Sequence, residues 1–169
     1  VIGEIAGQRH TEQRPDKRAR LSLFWQNKLH LTRDVVDVSY RYYRDDWGVR
    51  AHTLDARYRW ELGGGIHLEP RWRHHTQSAA DFWRGWLVEG LEWSSPSHTS
   101  TQTALSADPR LAAFKADTLG IKAGLTTASG SEWTLRLESY RQRLDRPAGA
   151  VGALQSLDLA PTVKATMLT

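Results

Sequence analysis

Period-two alternation of apolar and polar residues, sustained over long stretches, is what most constrains this chain. From Val36 to Tyr42 the even positions Val36, Val38, Tyr40 and Tyr42 are apolar or aromatic, while Asp37, Ser39 and Arg41 lie between them. A repeat of two sends successive side chains to opposite faces of a strand, and a helix cannot keep it. After Asp45-Asp46-Trp47-Gly48 the pattern resumes, with Leu54, Ala56, Tyr58, Trp60 and Leu62 set against Thr53, Asp55, Arg57, Arg59 and Glu61. Gly63-Gly64-Gly65 interrupts it, and beyond the glycines Ile66, Leu68, Pro70 and Trp72 alternate with His67, Glu69, Arg71 and Arg73. Three such strands joined by tight turns predict an antiparallel meander.

The same rule reads elsewhere with less clarity. Ala19, Leu21, Leu23, Trp25, Leu29 and Leu31 alternate with Arg20, Ser22, Gln26, Lys28 and His30. Leu119, Ile121, Ala123 and Leu125 alternate with Gly120, Lys122 and Gly124, and Trp133, Leu135 and Leu137 with Thr134, Arg136 and Glu138. With segments 1–9 and 161–169 as weaker candidates, the expectation is an all-β, up-and-down meander of about eight strands, several longer than the usual soluble strand.

Register provides a physical test, because an antiparallel hairpin fixes which residues stand opposite one another. A turn centred on Gly64 opposes Arg59 to Glu69, Asp55 to Arg73, Trp60 to Leu68 and Ala56 to Trp72. A turn near Trp47 opposes Asp37 to Arg57, Ser39 to Asp55, Val36 to Tyr58 and Tyr40 to Leu54. Both registers agree on which face is apolar. One face then gathers Asp37, Arg41, Asp55, Arg57, Arg59, Glu69, Arg71 and Arg73. The other carries Val36, Val38, Tyr40, Leu54, Ala56, Tyr58, Trp60, Leu68 and Trp72, continued by Leu119, Ile121, Trp133 and Leu135.

Two architectures accommodate such a sheet. A soluble sandwich buries the apolar face against a second sheet and leaves the charged face in water. An outer-membrane barrel turns the apolar face to lipid and the charged face to a lumen, which requires strands of about 9 to 11 residues and no charge at mid-bilayer. Between Val36 and Tyr42, and between Leu54 and Leu62, no charge falls on the apolar face. His74, Lys115 and Asp117 share its parity, so they are expected beyond the hydrocarbon or past a shift of register. Links near 32–33, 63–65 and 129–130 are short. Those at 10–18, 76–112 and 144–160 are long, and short turns on one rim with long loops on the other suit a barrel. Only the link at 45–48 breaks that rhythm.

Composition narrows the function classes. The 169 residues carry 23 Lys and Arg against 19 Asp and Glu, a formal net charge of +4, and no cysteine, so disulfide scaffolds, thiolate metal sites and cysteine nucleophiles are excluded. Mean hydropathy is −0.56, and no apolar run approaches the roughly 18 residues of a spanning helix, a test that does not bear on barrels. Eight Trp and five Tyr against three Phe favour the boundary between apolar and wet surroundings. The chain opens on Val1 with no export signal and is read as a mature piece or fragment, one domain over 1–169 with a long rim loop at 76–112.

Part of the chain resembles a known family. The run from Tyr40 to Trp60, then Gly63-Gly64-Gly65, Leu68-Glu69-Pro70 and the stretch from Gln77 to Trp83, is similar to an uncharacterised bacterial outer-membrane family, domain of unknown function thirty-five seventy. Arg14-Pro15-Asp16 and the segment from Ser106 to Phe114 extend the resemblance over most of the chain, with 37–83 the most specific part. It implies an exported barrel in Gram-negative bacteria and no settled activity. Members are longer, which implies that these residues form the C-terminal part of a barrel. Such barrels usually close on a terminal aromatic, whereas this chain stops at Met167-Leu168-Thr169.

Other chemistries are weighed against these. His52, His74 and His75 with Asp45 and Asp46 lie toward one rim, but their spacing matches no metal motif, and solvated or backbone-bonded rim histidines are the expectation. No Gly-x-Ser-x-Gly elbow exists, so no catalytic residue is assigned. On each of the three clearest strands the arginines and aromatics fall on opposite faces, which argues against a nucleic-acid stacking platform. In the long loop, Phe82, Trp83, Trp86, Leu87, Val88, Leu91 and Trp93 are too apolar for a solvated link. They fold over the barrel mouth or offer a loop surface to a ligand. The expectation is a non-enzymatic outer-membrane barrel with a charged lumen, acting as a pore, a passive transport route or a scaffold. Its partners would be the outer-membrane bilayer and a periplasmic or surface protein, with no metal, cofactor or nucleic acid; the alternative is a soluble sandwich that binds through the tryptophan-rich loop.

Overall fold

A computed structural model describes residues 3–5, 8–10, 12–86, 93–94, 99–100, 104–145, 158 and 160–169. In chain order the strands are β1 (Gly3–Ile5), β2 (Gln8–His10), β3 (Arg20–His30), β4 (Val35–Asp45), β5 (Arg50–Gly63), β6 (Ile66–Gln77), β7 (Trp93–Ser94), β8 (Thr99–Ser100), β9 (Phe114–Thr126), β10 (Glu132–Leu144) and β11 (Thr162–Leu168), with one 3-10 turn at Pro109–Leu111.

Seven of these strands form one antiparallel sheet in the order β11-β10-β9-β6-β5-β4-β3, so each lies beside its neighbour along the chain. The up-and-down meander is therefore present, with seven strands in this sheet among the described residues. The terminal segment 161–169 joins the sheet as β11, but the first residues do not, because β1 pairs only with β2 in a separate ribbon. Strands β3 to β6, β9 and β10 run 11 to 14 residues.

The expected registers hold across the first hairpins. Asp37 stands opposite Arg57, Ser39 opposite Asp55 and Tyr40 opposite Leu54. Asp55 opposes Arg73, Ala56 opposes Trp72 and Trp60 opposes Leu68. A bulge between Glu61 and Gly63 leads into the turn, where Gly63, Gly64 and Gly65 all take positive φ, a conformation that a side chain would strain. No shift of register relocates Lys115 and Asp117: both pair regularly with β6 and β10 and remain on the apolar face.

The packed core is small and sits at the long-loop rim. Val49, Ala80, Phe82 and Leu111 are buried together, with Tyr43, Trp47, Trp83 and Ala104 packed against them. Tyr43 belongs to the polar face of β4, so the loop segments around 80–83 and 104–112 fold inward over that face. Ala80 donates its N–H to the Leu111 carbonyl, and the Gln77 amide donates to the carbonyls of Arg110 and Ala112. This answers the two readings of the loop in part. Phe82 is not a surface residue: it is buried with Val49, Ala80 and Leu111 and lies edge-on to Trp47, with ring centroids 5.2 Å apart. Trp83 is half-buried against the same cluster, and Trp86 is half-buried. Trp93 begins β7, and its side chain, like Leu87, Val88 and Leu91, lies outside the described residues.

Candidate functional site

The two faces of the sheet invert the ordinary economy of a soluble protein. On the apolar face, Trp133 is 70% exposed, Leu119 61% and Leu135 60%, and Trp25, Trp60 and Trp72 are exposed as well. On the polar face, Asp55, His67 and Thr118 are buried. Soluble folds bury the apolar set and expose the charged one. Here no second sheet covers the apolar face among the described residues.

Val36, Val38, Tyr40, Leu54, Ala56, Tyr58, Trp60, Leu68, Trp72, Leu119, Ile121, Trp133 and Leu135 do share that face, as pairing carries the parity from strand to strand. They form a band of limited height. On β4 it runs from Val36 to Tyr42 and ends at Arg44; on β9 it runs from Leu125 to Leu119 and ends at Asp117. Pairing links Val38 through Ala56 and Trp72 to Leu119. The band therefore ends on β9 level with Val38, four residues short of its end at Tyr42. The other end slants the same way: Leu125 lies beyond the level of Trp60, whereas on β4 the band starts level with Tyr58. Four residues of about 3.3 Å, over three strand spacings of about 4.8 Å, incline the band to the pairing rows by about 40°.

The polar face carries a bonded network. Asp55 accepts from Arg71 Nη2 at 2.6 Å and Arg57 Nε at 3.0 Å, so one buried carboxylate serves two arginines that face each other across β5 and β6. Arg71 Nη1 donates to Glu138 Oε1 at 3.0 Å. Glu69 pairs with Lys122 at 3.2 Å, Arg59 with Glu61 at 2.5 Å, and Asp37 accepts from the Gln26 amide at 2.7 Å. Arg41 lies over the Phe24 ring, 5.4 Å from its centroid. Arg73 has no carboxylate within ion-pair distance among the described residues; it borders two clefts, of about 290 Å³ with Arg41, Ser39 and Thr53, and of about 320 Å³ with Phe114, Tyr140 and Met167. All eight expected charged residues thus share one face, though with unequal partners.

Two glycines make that network possible. Gly124 stands opposite His67, and a Cβ there would lie 2.1 Å from the imidazole Cε1, so His67 lies flat on the sheet. Gly120 occupies the row between Arg71 and Glu138, and its bare backbone lets Glu138 lean across β9. Neither glycine, nor Lys122, Glu138 or His67, was singled out by sequence. The alternation over 119–125 and 133–137 already places Lys122, Glu138 and both glycines on the polar face, and extending the registers past β6 would have brought them together.

The histidines disperse. His52 Nδ1 meets the Tyr40 hydroxyl at 2.6 Å on the apolar face, His74 Nδ1 meets Asp117 at 2.7 Å on that same face, and His75 meets Thr53 Oγ1 at 2.8 Å on the polar one. Asp45 is turned to Arg18, the Tyr43 hydroxyl and the backbone N–H groups of Trp47 and Val49. Among the described residues no group of three or more His, Asp and Glu side chains is arranged to hold a metal ion.

Outside the sheet, Asp108 is the most tightly held carboxylate of the cap. Hydrogen bonds from the Arg110 side chain, with its backbone N–H and Arg14 adding to them, hold its carboxyl well below the usual carboxylate range. Glu12 is lowered as well, chiefly by the Ser106 hydroxyl.

A profile of the family described as "protein of unknown function (DUF3570)" matches residues 3–169. The chain belongs to that family. No curated protein and no solved structure gives a significant match. For this DUF3570 chain the family relationship covers nearly the whole sequence and agrees with the resemblance read from the Tyr40–Trp60 run, while its function is left to the geometry.

Proposed function

We propose that this chain forms the wall of an integral outer-membrane β-barrel, non-enzymatic, serving as a pore, a passive transport route or a scaffold. The observation that carries the reading is the slanted apolar band. Outer-membrane barrel strands tilt by about 35 to 45°, so a membrane of constant height must cross their pairing rows at that angle. The inclination of about 40° calculated from register and spacing falls inside this range. A band cut for a second sheet in solution has no need to slant with the rows.

In this reading the apolar residues face lipid, with Trp25, Tyr40, Trp60, Trp72 and Trp133 toward the two interfaces. Asp37, Arg41, Asp55, Arg57, Arg59, Glu69, Arg71 and Arg73 line the lumen, narrowed at the long-loop mouth by the Phe82–Leu111 cap. A periplasmic or surface protein remains the partner expected of the scaffold role. The test is heat-modifiability on a gel, applied to the full-length gene product extracted from membranes. A folded band of altered mobility, confined to the outer-membrane fraction, is expected; recovery in the soluble fraction without such a shift would sink the reading and return the soluble binding module.

A further inference from the structure

Beyond the apolar band, on three neighbouring strands, stands a group of four cations, none of which forms an ion pair among the described residues. Lys115 on β9 stands directly opposite Arg143 on β10, and Arg141 on β10 stands directly opposite Lys164 on β11. All four share the apolar face and are exposed. Like charges placed directly across strands repel, so a sheet that keeps two such pairs side by side has a reason outside its own stability.

The carboxylates nearby are committed or displaced. Asp117 is opposite Arg141 but is bound to His74 at 2.7 Å, and Asp145 lies past the end of β10. Among the described residues, none of the four cations has a carboxylate within ion-pair distance. The contrast on the same rim is instructive. Arg44 also faces Arg50, but Asp46 and Asp81 border the cleft that those two arginines line. At the short-turn end the same face shows Leu62, Ile66, Leu125 and Trp133 and no cation.

Charge and height together identify the occupant. Lys115, Arg141 and Lys164 each stand four residues beyond the last apolar position of that face on their own strands, Leu119, Leu137 and Leu168. Four residues are about 13 Å along a strand, or about 10 Å of height at a tilt of about 40°. The long Lys and Arg side chains reach back toward the headgroup layer, which extends about 5 to 7 Å from the hydrocarbon. Four cations within two rows on three strands offer several donors to one group of phosphate oxygens.

We infer that Lys115, Arg141, Arg143 and Lys164 bind the phosphate of a lipid headgroup at the long-loop rim. The inference rests on the proposed membrane reading, and its test is separable from it. The full chain, folded in micelles holding equal dioleoyl phosphatidic acid and dioleoyl phosphatidylcholine, is examined by native mass spectrometry. Heat mobility is read on the same samples. Phosphatidic acid should be retained about fivefold or more over phosphatidylcholine, falling to parity in Arg141→Gln/Arg143→Gln and in Lys115→Gln/Lys164→Gln. Arg59→Gln, on the opposite face, should leave the preference intact. Equal retention of both lipids by a wild-type chain that shows the folded mobility would overturn the inference and leave the barrel standing. Loss of the preference in an excess of inorganic phosphate would overturn it too, by making free phosphate the ligand. Should one double variant fail to show the folded mobility, the other decides.

Discussion

Arg71 on β6 and Glu138 on β10 are joined at 3.0 Å although β9 runs between them. The bridge exists because Gly120, the β9 residue in the same row, has no side chain to stand in its way. Through Arg71 it continues to Asp55 and Arg57, so four charges on three strands act as one unit. On this face the buried Asp55 carboxylate offsets the close pair Arg57 and Arg71.

Gly120→Val should therefore break a contact that it does not itself make. Its new Cβ would lie 2.9 Å from Glu138 Cγ, forcing that side chain aside and leaving Arg71 short of a partner. The expected cost is about 1 to 3 kcal/mol. Urea unfolding of the folded chain measures it, and Glu138→Gln should reproduce much of the loss. A Gly120→Val chain as stable as wild type would show that Glu138 has another place to go.

His67 and Gly124 give a second, more local coupling. His67 is 1% exposed, and its Nε2 has no hydrogen-bond partner among the described residues. Gly124→Ala would drive a methyl group into the ring, with an expected loss of about 1 to 3 kcal/mol. His67→Ala in the same chain should recover most of that loss, because the obstructing ring is gone. A double-mutant cycle with no interaction energy would refute the close approach.

How much of this was legible beforehand follows from what alternation encodes. Period two reveals which residues share a face, so the charged set from Asp37 to Arg73 and the apolar set from Val36 to Leu135 could be sorted from sequence alone. Register came with it wherever a turn was unmistakable, as at Gly63–Gly65. What alternation cannot show is which charge takes which partner, since that depends on side chains reaching diagonally and across intervening strands. Asp55 lies diagonal to Arg71 in the β5–β6 register, but the second partner, Glu138, becomes visible only with the β9–β10 register. Phe82 shows a related limit: whether a loop aromatic folds over the mouth or offers a surface depends on the rim residues Val49 and Leu111 that enclose it.

Acid should loosen the cap held by Asp108. Asp108 has a folded-state pKa depressed by Arg110 and Arg14, so its contribution is complete above the unfolded carboxylate value near 4 and is lost as pH falls below it. Glu12 moves in the same direction. Amide hydrogen exchange, corrected for intrinsic rates, should accelerate at Leu111 and Ala80 between neutral pH and about pH 3, because their N–H groups bond within the cap. Asp108→Asn should show the fast exchange at both pH values. Protection unchanged by pH in the wild-type chain would remove Asp108 as the clamp.

Ion selectivity should reside in the arginines that the network leaves over. Arg57 and Arg71 are both bound to Asp55, and their charge is largely offset. Arg71→Gln would leave the buried Asp55 carboxylate with Arg57 alone and cost about 1 to 3 kcal/mol, an effect on folding more than on permeation. Arg41, over the Phe24 ring, and Arg73, bordering both clefts, have no carboxylate within ion-pair distance among the described residues, so their field reaches the solvent. In a planar bilayer, Arg41→Glu/Arg73→Glu should shift the permeability ratio toward cations by about fivefold, the scale of one unit charge acting near 4 Å in water. Arg59→Gln, which removes a charge already paired with Glu61, should shift it far less. Equal shifts from both variants would mean that pairing on this face does not decide which charges a passing ion meets.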